Sequence, residues 1–111
     1  MTTACLVYIT APNREQARRL ACTLVEERLA ACANILSDVE SHYWWQGKLE
    51  SSHEVSLILK TTSRLETALI TRAKELHPYD CPAIVTMPIQ NGFQPFLDWI
   101  AAETRLATPK P

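Results

Sequence analysis

The stretch Ser41-His-Tyr-Trp-Trp-Gln-Gly-Lys-Leu-Glu50 determines how the rest of this sequence is organised. It contains two of the three tryptophans and one of only two glycines in the chain. Glycine as the second residue of Gln46-Gly47 supplies the positive φ that a tight hairpin turn requires. An alternating apolar run precedes this turn and a β-branched, aliphatic run follows it. The stretch therefore predicts the tip of a long β-hairpin.

The two tryptophans of this tip are adjacent, and adjacent residues of a strand point to opposite faces of a sheet. A two-stranded ribbon that extends beyond a small domain cannot cover both faces from within one chain. Because large exposed apolar patches usually mark association sites, we expect a second copy of the chain to cover Trp44 and Trp45. Lys48 and Glu50, beside the turn, are interpreted either as solvated residues or as an ion pair between subunits.

The composition is that of an ordinary globular domain, with 111 residues of which 47% are hydrophobic and 21% charged. We expect a single domain over residues 1–106 and a disordered tail over 107–111. Eleven Lys and Arg against twelve Asp and Glu give no basic excess for binding nucleic acid. No apolar run approaches the ~20 residues of a membrane span, and no signal peptide is recognisable, which indicates a cytoplasmic protein without a membrane partner. The four cysteines form no Cys-x-x-Cys pair, so we expect free thiols.

Outside the hairpin, the spacing of apolar residues predicts a regular succession of strands and helices. Asn13 and Ser63 are each followed three residues later by Gln or Glu, the spacing of a capping box, and are predicted to cap two helices. Pro78 ends the second helix, and Pro95 suits the first turn of a third. The predicted strands cover residues 4–9, 32–45, 54–62 and 83–89.

The order βαββαβα predicts a ferredoxin-like α+β fold, with an antiparallel four-stranded sheet, helices on one face and a long protruding hairpin between the second and third strands. In a two-residue turn, every odd residue of the first hairpin strand faces an even residue of the second. The apolar sets are nevertheless odd on both strands, namely Ile35, Val39 and Tyr43 before the turn and Val55, Leu57 and Leu59 after it. These patterns agree only if the loop has an odd length or one strand carries a bulge, for which Ser37-Asp38 is the preferred position.

Five local motifs lie in register along the chain. They are Glu27-Arg-Leu-Ala-Ala-Cys-Ala-Asn-Ile35, Tyr43-Trp-Trp-Gln-Gly-Lys-Leu-Glu50, Lys60-Thr61, His77-Pro-Tyr-Asp-Cys-Pro82 and Phe96-Leu-Asp-Trp99. Together they resemble the CutA family, the divalent-cation tolerance proteins, over nearly the whole chain. The resemblance implies a homotrimer whose hairpins extend sheets across subunit boundaries. It also implies a role in the response to divalent metal ions, with copper binding in at least some members.

The resemblance directs attention to metal ligands. Members proposed to bind copper can carry a cysteine before the Thr-Ala-Pro turn and a second histidine before the His-Pro motif, where this chain has Ile9 and Leu76. The remaining candidate ligands are His77 with Asp80 or Cys81, and His42 or His53 on the hairpin. No zinc-ligand spacing is present. The alternative for His77 is that it satisfies backbone groups where the second helix ends.

A second interpretation is a small-ligand sensor, because trimeric ferredoxin-like proteins with projecting loops include the PII signalling proteins. Clefts between protomers are natural ligand sites, and the polar and aromatic residues placed there are Tyr43, Trp45, Lys60, His77 and Tyr79. Lys60 and His77 favour a small anion as the ligand. No glycine-rich phosphate loop or nucleophile elbow is present, and Cys81 with His77 is the only sequence-local nucleophile and base, so we expect no enzyme.

Overall fold

The computed structural model describes residues 3–106, and the tail predicted over 107–111 lies outside the described residues. The elements are β1 (Ala4–Ala11), α1 (Arg14–Glu26), β2 (Cys32–Trp45), β3 (Lys48–Thr62), α2 (Glu66–Leu76), β4 (Ile84–Pro88) and α3 (Gln94–Glu103), with a turn of 3-10 helix (Ser63–Leu65) before α2. This succession confirms the predicted βαββαβα order. No helix in this part of the chain is long and apolar enough to cross a membrane.

The four strands form one antiparallel sheet in the order β2-β3-β1-β4. Val7 of β1 pairs with Leu59 of β3, and Ile9 pairs with Leu57. These side chains lie on the same face of the sheet and are fully buried. They pack in one cluster with apolar residues of the helices, among them Leu20, Leu24, Leu69 and Ala73. We call this the core face and the other the opposite face.

The hairpin has the turn and the bulge that the sequence predicts. Trp45 pairs with Lys48 across a two-residue turn in which both Gln46 and Gly47 have positive φ, 49° and 80°. This combination defines a type I′ turn, whose twist matches that of the flanking strands. Leu36 pairs with Ser56 but Val39 with Glu54, so β2 contains one extra residue at Ser37–Asp38. Asp38 adopts a φ of 64°, which confirms the bulge at the predicted position.

The bulge exchanges the two faces of β2. Ile35, before the bulge, packs against the core cluster. Beyond it, Val39 pairs with Glu54 and Tyr43 with Glu50, so the odd residues of β2 share a face with the even residues of β3. The odd-numbered apolar residues of β2 are therefore divided between the two faces, because the extra residue moves Val39 and Tyr43 to the opposite face.

The two predicted helix caps have different outcomes. The Asn13 side-chain oxygen accepts a hydrogen bond from the Gln16 amide at 2.9 Å, which confirms Asn13 as the cap of α1. The prediction for Ser63 is wrong, since α2 begins at Glu66 and is preceded by Leu65, which has no capping side chain. The Ser63 hydroxyl instead accepts a hydrogen bond from the Thr3 amide at 3.0 Å and so anchors the start of β1.

Candidate functional site

A cavity of about 720 Å³ lies between the hairpin and the loop of residues 77–83 that joins α2 to β4. We call it the hairpin groove. Its wall includes Tyr43 and Trp45, which face it because the bulge has turned them away from the core face. The twelve lining residues are Tyr8, Thr10, Glu40, Ser41, His42, Tyr43, Trp45, Glu54, Tyr79, Asp80, Cys81 and Ala83.

The walls of the groove are aromatic. All three tyrosines of the chain line it, together with Trp45. Tyr8 projects from β1, Tyr43 and Trp45 from β2, and Tyr79 from the loop before β4. Three separate elements therefore bring their aromatic side chains to one concave surface, an arrangement typical of small-molecule sites.

The charged side chains of the groove are acidic. Glu40, Glu54 and Asp80 line it, whereas none of the Lys and Arg residues in the range 3–106 does. Glu40 is paired with His42 at 2.6 Å on the exposed edge of the hairpin. Glu54 is only 9% exposed and lies at the floor. Its Oε2 accepts a hydrogen bond from the Tyr79 hydroxyl at 3.0 Å.

No Lys or Arg among residues 3–106 forms an ion pair with Glu54. Burial raises the pKa of the Tyr79 phenol to about 12, and the hydrogen bond to Glu54, the charge of Glu54 and Tyr43 add to this effect. Tyr79 therefore remains protonated at neutral pH and donates to the carboxylate. The Glu54 side chain at the floor of the groove is therefore held by a neutral donor.

His77 lies behind the groove and is buried, with 7% of its surface exposed. Its Nδ1 accepts a hydrogen bond from the Tyr79 amide at 3.1 Å, and its Nε2 lies 2.7 Å from the Thr10 carbonyl oxygen. Because Nδ1 is the acceptor, Nε2 must carry the proton and donate to Thr10. Both ring nitrogens are occupied, as the backbone-satisfying interpretation of His77 requires. Metal ligation through His77 would require one of these hydrogen bonds to break.

The predicted ligand set is only partly brought together. Asp80 and Cys81 are exposed at the rim of the groove, whereas His77 is not among the lining residues. The described part of the chain contains no group of three or more His, Cys, Asp and Glu side chains placed to hold a metal ion. His53 is on the hairpin and does not line the groove. Among the predicted ligands that line the groove, His42 is hydrogen-bonded to Glu40, whereas Asp80 and Cys81 have no side-chain partner within residues 3–106.

Lys60 is remote from the other predicted cleft residues within the protomer. It pairs with Cys32 and Leu6, while Tyr43 pairs with Glu50, ten residues away along β3. At roughly 3.3 Å per residue, this separates them by about 33 Å. The Lys60 ammonium donates a hydrogen bond to the Asn34 side chain. The structure therefore assembles Tyr43, Trp45 and Tyr79 of the predicted cleft without its basic residue.

Sequence reasoning missed Glu54 and Tyr8 as groove residues. The available signal was a carboxylate at the start of an otherwise apolar run, since Glu54 directly precedes Val55. Because adjacent residues of a strand point to opposite faces, Glu54 lies on the opposite face when Val55 lies on the core face. A carboxylate there needs a partner other than the residues of the core. The position of Tyr8 depends on the pairing of β1 with β3, which no local pattern specifies.

The hairpin tip exposes the apolar surface that the sequence predicts. Trp44 is 73% exposed and pairs with Leu49, which is 66% exposed. Trp45, on the other face, is 46% exposed. Lys48 and Glu50 are also exposed, and neither forms an ion pair with another residue in the range 3–106. Tryptophan and leucine side chains so exposed are typical of an association surface.

The sheet order, the protruding hairpin and the groove at its base define a class of small ferredoxin-like α+β proteins. The chain belongs to the family of the CutA1 divalent ion tolerance protein, whose model matches residues 5–103.

Among curated relatives, the chloroplastic Protein CutA 1 of Oryza sativa subsp. japonica is 43% identical over 100 residues, which are 90% of this chain and 56% of that protein. The chain thus spans little more than half the length of this plant relative. The divalent-cation tolerance protein CutA of Thermus thermophilus is 46% identical over 99 residues, covering 89% of this chain and 96% of that protein.

Solved structures agree with the fold. The Cut A1 divalent cation tolerance protein from Thermus thermophilus superposes with a TM-score of 0.90 at 45% identity, covering 92% of this chain and 99% of that one. CutA1 from Oryza sativa gives a TM-score of 0.91 at 41% identity, with coverages of 95% and 96%.

Proposed function

We propose that the chain acts in tolerance of, or response to, divalent metal ions as a non-enzymatic homotrimer in the cytoplasm. Its membership of the divalent-cation tolerance family supports the metal-related role. Four free cysteines accord with a reducing compartment. The exposed Trp44 and Leu49 at the hairpin tip support association of copies, because burying them removes a large apolar surface from water.

We further propose that a divalent cation, copper included, binds at the rim of the hairpin groove through the Asp80 carboxylate and the Cys81 thiolate. One observation carries this proposal: these two free donors lie in a groove that has three carboxylates and no Lys or Arg among its lining residues. The acidic surroundings favour a cation, and a thiolate is a soft ligand that suits copper and zinc. Water or a neighbouring protomer supplies the remaining ligands.

In this proposal, His77 positions the loop and is not a ligand. Its hydrogen bonds to Thr10 and Tyr79 hold the chain on either side of the groove, which keeps Asp80 and Cys81 in place. The alternative of an anion sensor depends on Lys60 and His77, neither of which is among the lining residues of this groove within the protomer. The charge of the groove therefore favours the cation.

Calorimetric titration of metal-free protein with Cu(II) and Zn(II) tests the metal proposal. We expect Asp80→Asn and Cys81→Ser each to weaken binding by about tenfold or more, because each removes one charged ligand. Cys22→Ser is the matched control, since Cys22 is also an exposed thiol but lies on α1, away from the groove. Unchanged affinity in both rim variants, or an equal loss in the control, would overturn the assignment.

A further inference from the structure

We infer that the floor of the hairpin groove binds a small organic cation, an ammonium or guanidinium group carried on a hydrocarbon body. Glu54 and the aromatic walls form this site, and the rim donors Asp80 and Cys81 are not part of it. Binding of an organic cation is therefore tested independently of metal binding.

The first observation is the buried carboxylate. Glu54 is nine-tenths buried and faces the cavity, and none of the Lys and Arg residues in the described range pairs with it. Burial of an ionised carboxylate is costly unless a positive charge compensates for it. The Tyr79 hydroxyl, at 3.0 Å, supplies a hydrogen bond but no charge.

The second observation is the aromatic lining. The faces of aromatic rings attract cations, and tryptophan and tyrosine do so more strongly than neutral aliphatic side chains. Trp45 and Tyr43 approach the groove from the hairpin, while Tyr8 and Tyr79 approach it from the body of the domain. A buried carboxylate with aromatic side chains around it is complementary both to a cationic head group and to the hydrocarbon attached to it.

The third observation is the size of the cavity. Its volume of about 720 Å³ lies within the range of roughly 300–1,000 Å³ that is typical of small-molecule sites. A bare metal ion at the floor would find one carboxylate, Glu54, because the other two acidic side chains of the lining, Glu40 and Asp80, are exposed. An inorganic or organic anion would face three carboxylates without a Lys or Arg among the lining side chains. An organic cation is the class of ligand that fits the charge, the walls and the volume together.

Three four-carbon probes test the inference by charge alone. These are 1,4-diaminobutane as the dication, 1,4-butanediol as the neutral analogue and succinate as the dianion. Binding is measured by calorimetry and by tryptophan fluorescence, with a chelator present to exclude bridging metal. We expect saturable binding of the diamine only. Lack of saturation by the diamine up to about 10 mM, or comparable binding of the diol or succinate, would overturn the inference.

Glu54→Gln tests the carboxylate, because it removes the charge while keeping an acceptor for the Tyr79 hydroxyl. We expect diamine binding to weaken by about tenfold or more. Glu50→Gln is the matched control, since Glu50 lies on the same face of the hairpin but outside the groove lining, and we expect less than about a twofold change. Diamine affinity retained in Glu54→Gln contradicts the inference.

A second variant keeps the test decisive if Glu54→Gln fails to fold. Tyr43→Leu removes one aromatic side chain of the wall at an exposed position and keeps the Glu54 carboxylate. This variant should lower the affinity for the diamine without changing the melting temperature by more than a few degrees. Full diamine affinity in this variant would exclude the aromatic wall as part of the site. An assembly structure with a basic side chain of a second copy seated against Glu54 would contradict a free small-molecule ligand.

Discussion

Replacement of His77 by alanine separates a structural role of this histidine from metal ligation. The substitution removes the acceptor of the Tyr79 amide and the donor to the Thr10 carbonyl oxygen, at 3.1 Å and 2.7 Å. Thr10 is itself buried, so its carbonyl oxygen loses a partner that water cannot readily replace. An unsatisfied buried polar group costs about 1–3 kcal/mol, and the lost imidazole contacts add to this cost. We expect His77→Ala to lower the free energy of unfolding by about 3 kcal/mol.

Urea unfolding followed by tryptophan fluorescence and circular dichroism measures this loss. All variants must be compared at one protein concentration, because association shifts the apparent stability. His53→Ala is the matched control, since His53 is on the hairpin and should change stability by less than about 0.5 kcal/mol. A loss below about 1 kcal/mol for His77→Ala, accompanied by loss of Cu(II) or Zn(II) binding, would refute the structural role and make His77 a ligand.

Three further perturbations test separate parts of the structure. Trp44→Ala should lower the thermal stability and make it depend on protein concentration. In one protomer 73% of this side chain of about 200 Å² is in water, so its burial by a neighbouring copy contributes about 4 kcal/mol, and undiminished stability of the variant would place the contact elsewhere. Thiol labelling of the native protein should modify the exposed Cys22 and Cys81 first and Cys5 last, because burial and the nearby Glu66 raise the pKa of Cys5 to about 11. After denaturation all four thiols should react, and a count of two would indicate a disulfide. Burial raises the folded-state pKa of Tyr79 to about 12, above the ordinary value of 10, so the contribution of this residue to stability is complete below pH 10 and is lost between pH 10 and 12. Because the phenol is partly solvated, we expect the free energy of unfolding to fall by about 1 kcal/mol over this range, and Tyr79→Phe should abolish this pH dependence.

The order of elements and the geometry of the hairpin could be predicted because both depend on local patterns. Gln46-Gly47 specifies a turn with two positive φ angles, and the parity of apolar residues requires one extra residue near Asp38. The prediction for Ser63 failed because its hydroxyl bonds to the Thr3 amide, sixty residues away, in place of capping α2. Tertiary contacts of this kind override a local capping signal.

The groove was less predictable than the fold. Tyr43, Trp45 and Tyr79 line one groove within the protomer, whereas Lys60, predicted for the same cleft between protomers, is separated from Tyr43 by ten residues of β3. The sequence favoured an anion because of Lys60 and His77, whereas the groove of one protomer is lined by three carboxylates and by neither of these two residues. The hydrogen bond between Glu54 and Tyr79 could not be predicted, because it depends on a tertiary contact between β3 and the loop before β4.

The exposed hairpin tip is the surface through which we expect copies of the chain to associate. Sedimentation equilibrium of the unmodified protein at micromolar concentration measures this without any variant. We expect a single species with three times the mass of one chain, because a ring of three lets each exposed Trp44 and Leu49 be covered by a neighbour and leaves no open end. A species with the mass of one chain would contradict association through the tip.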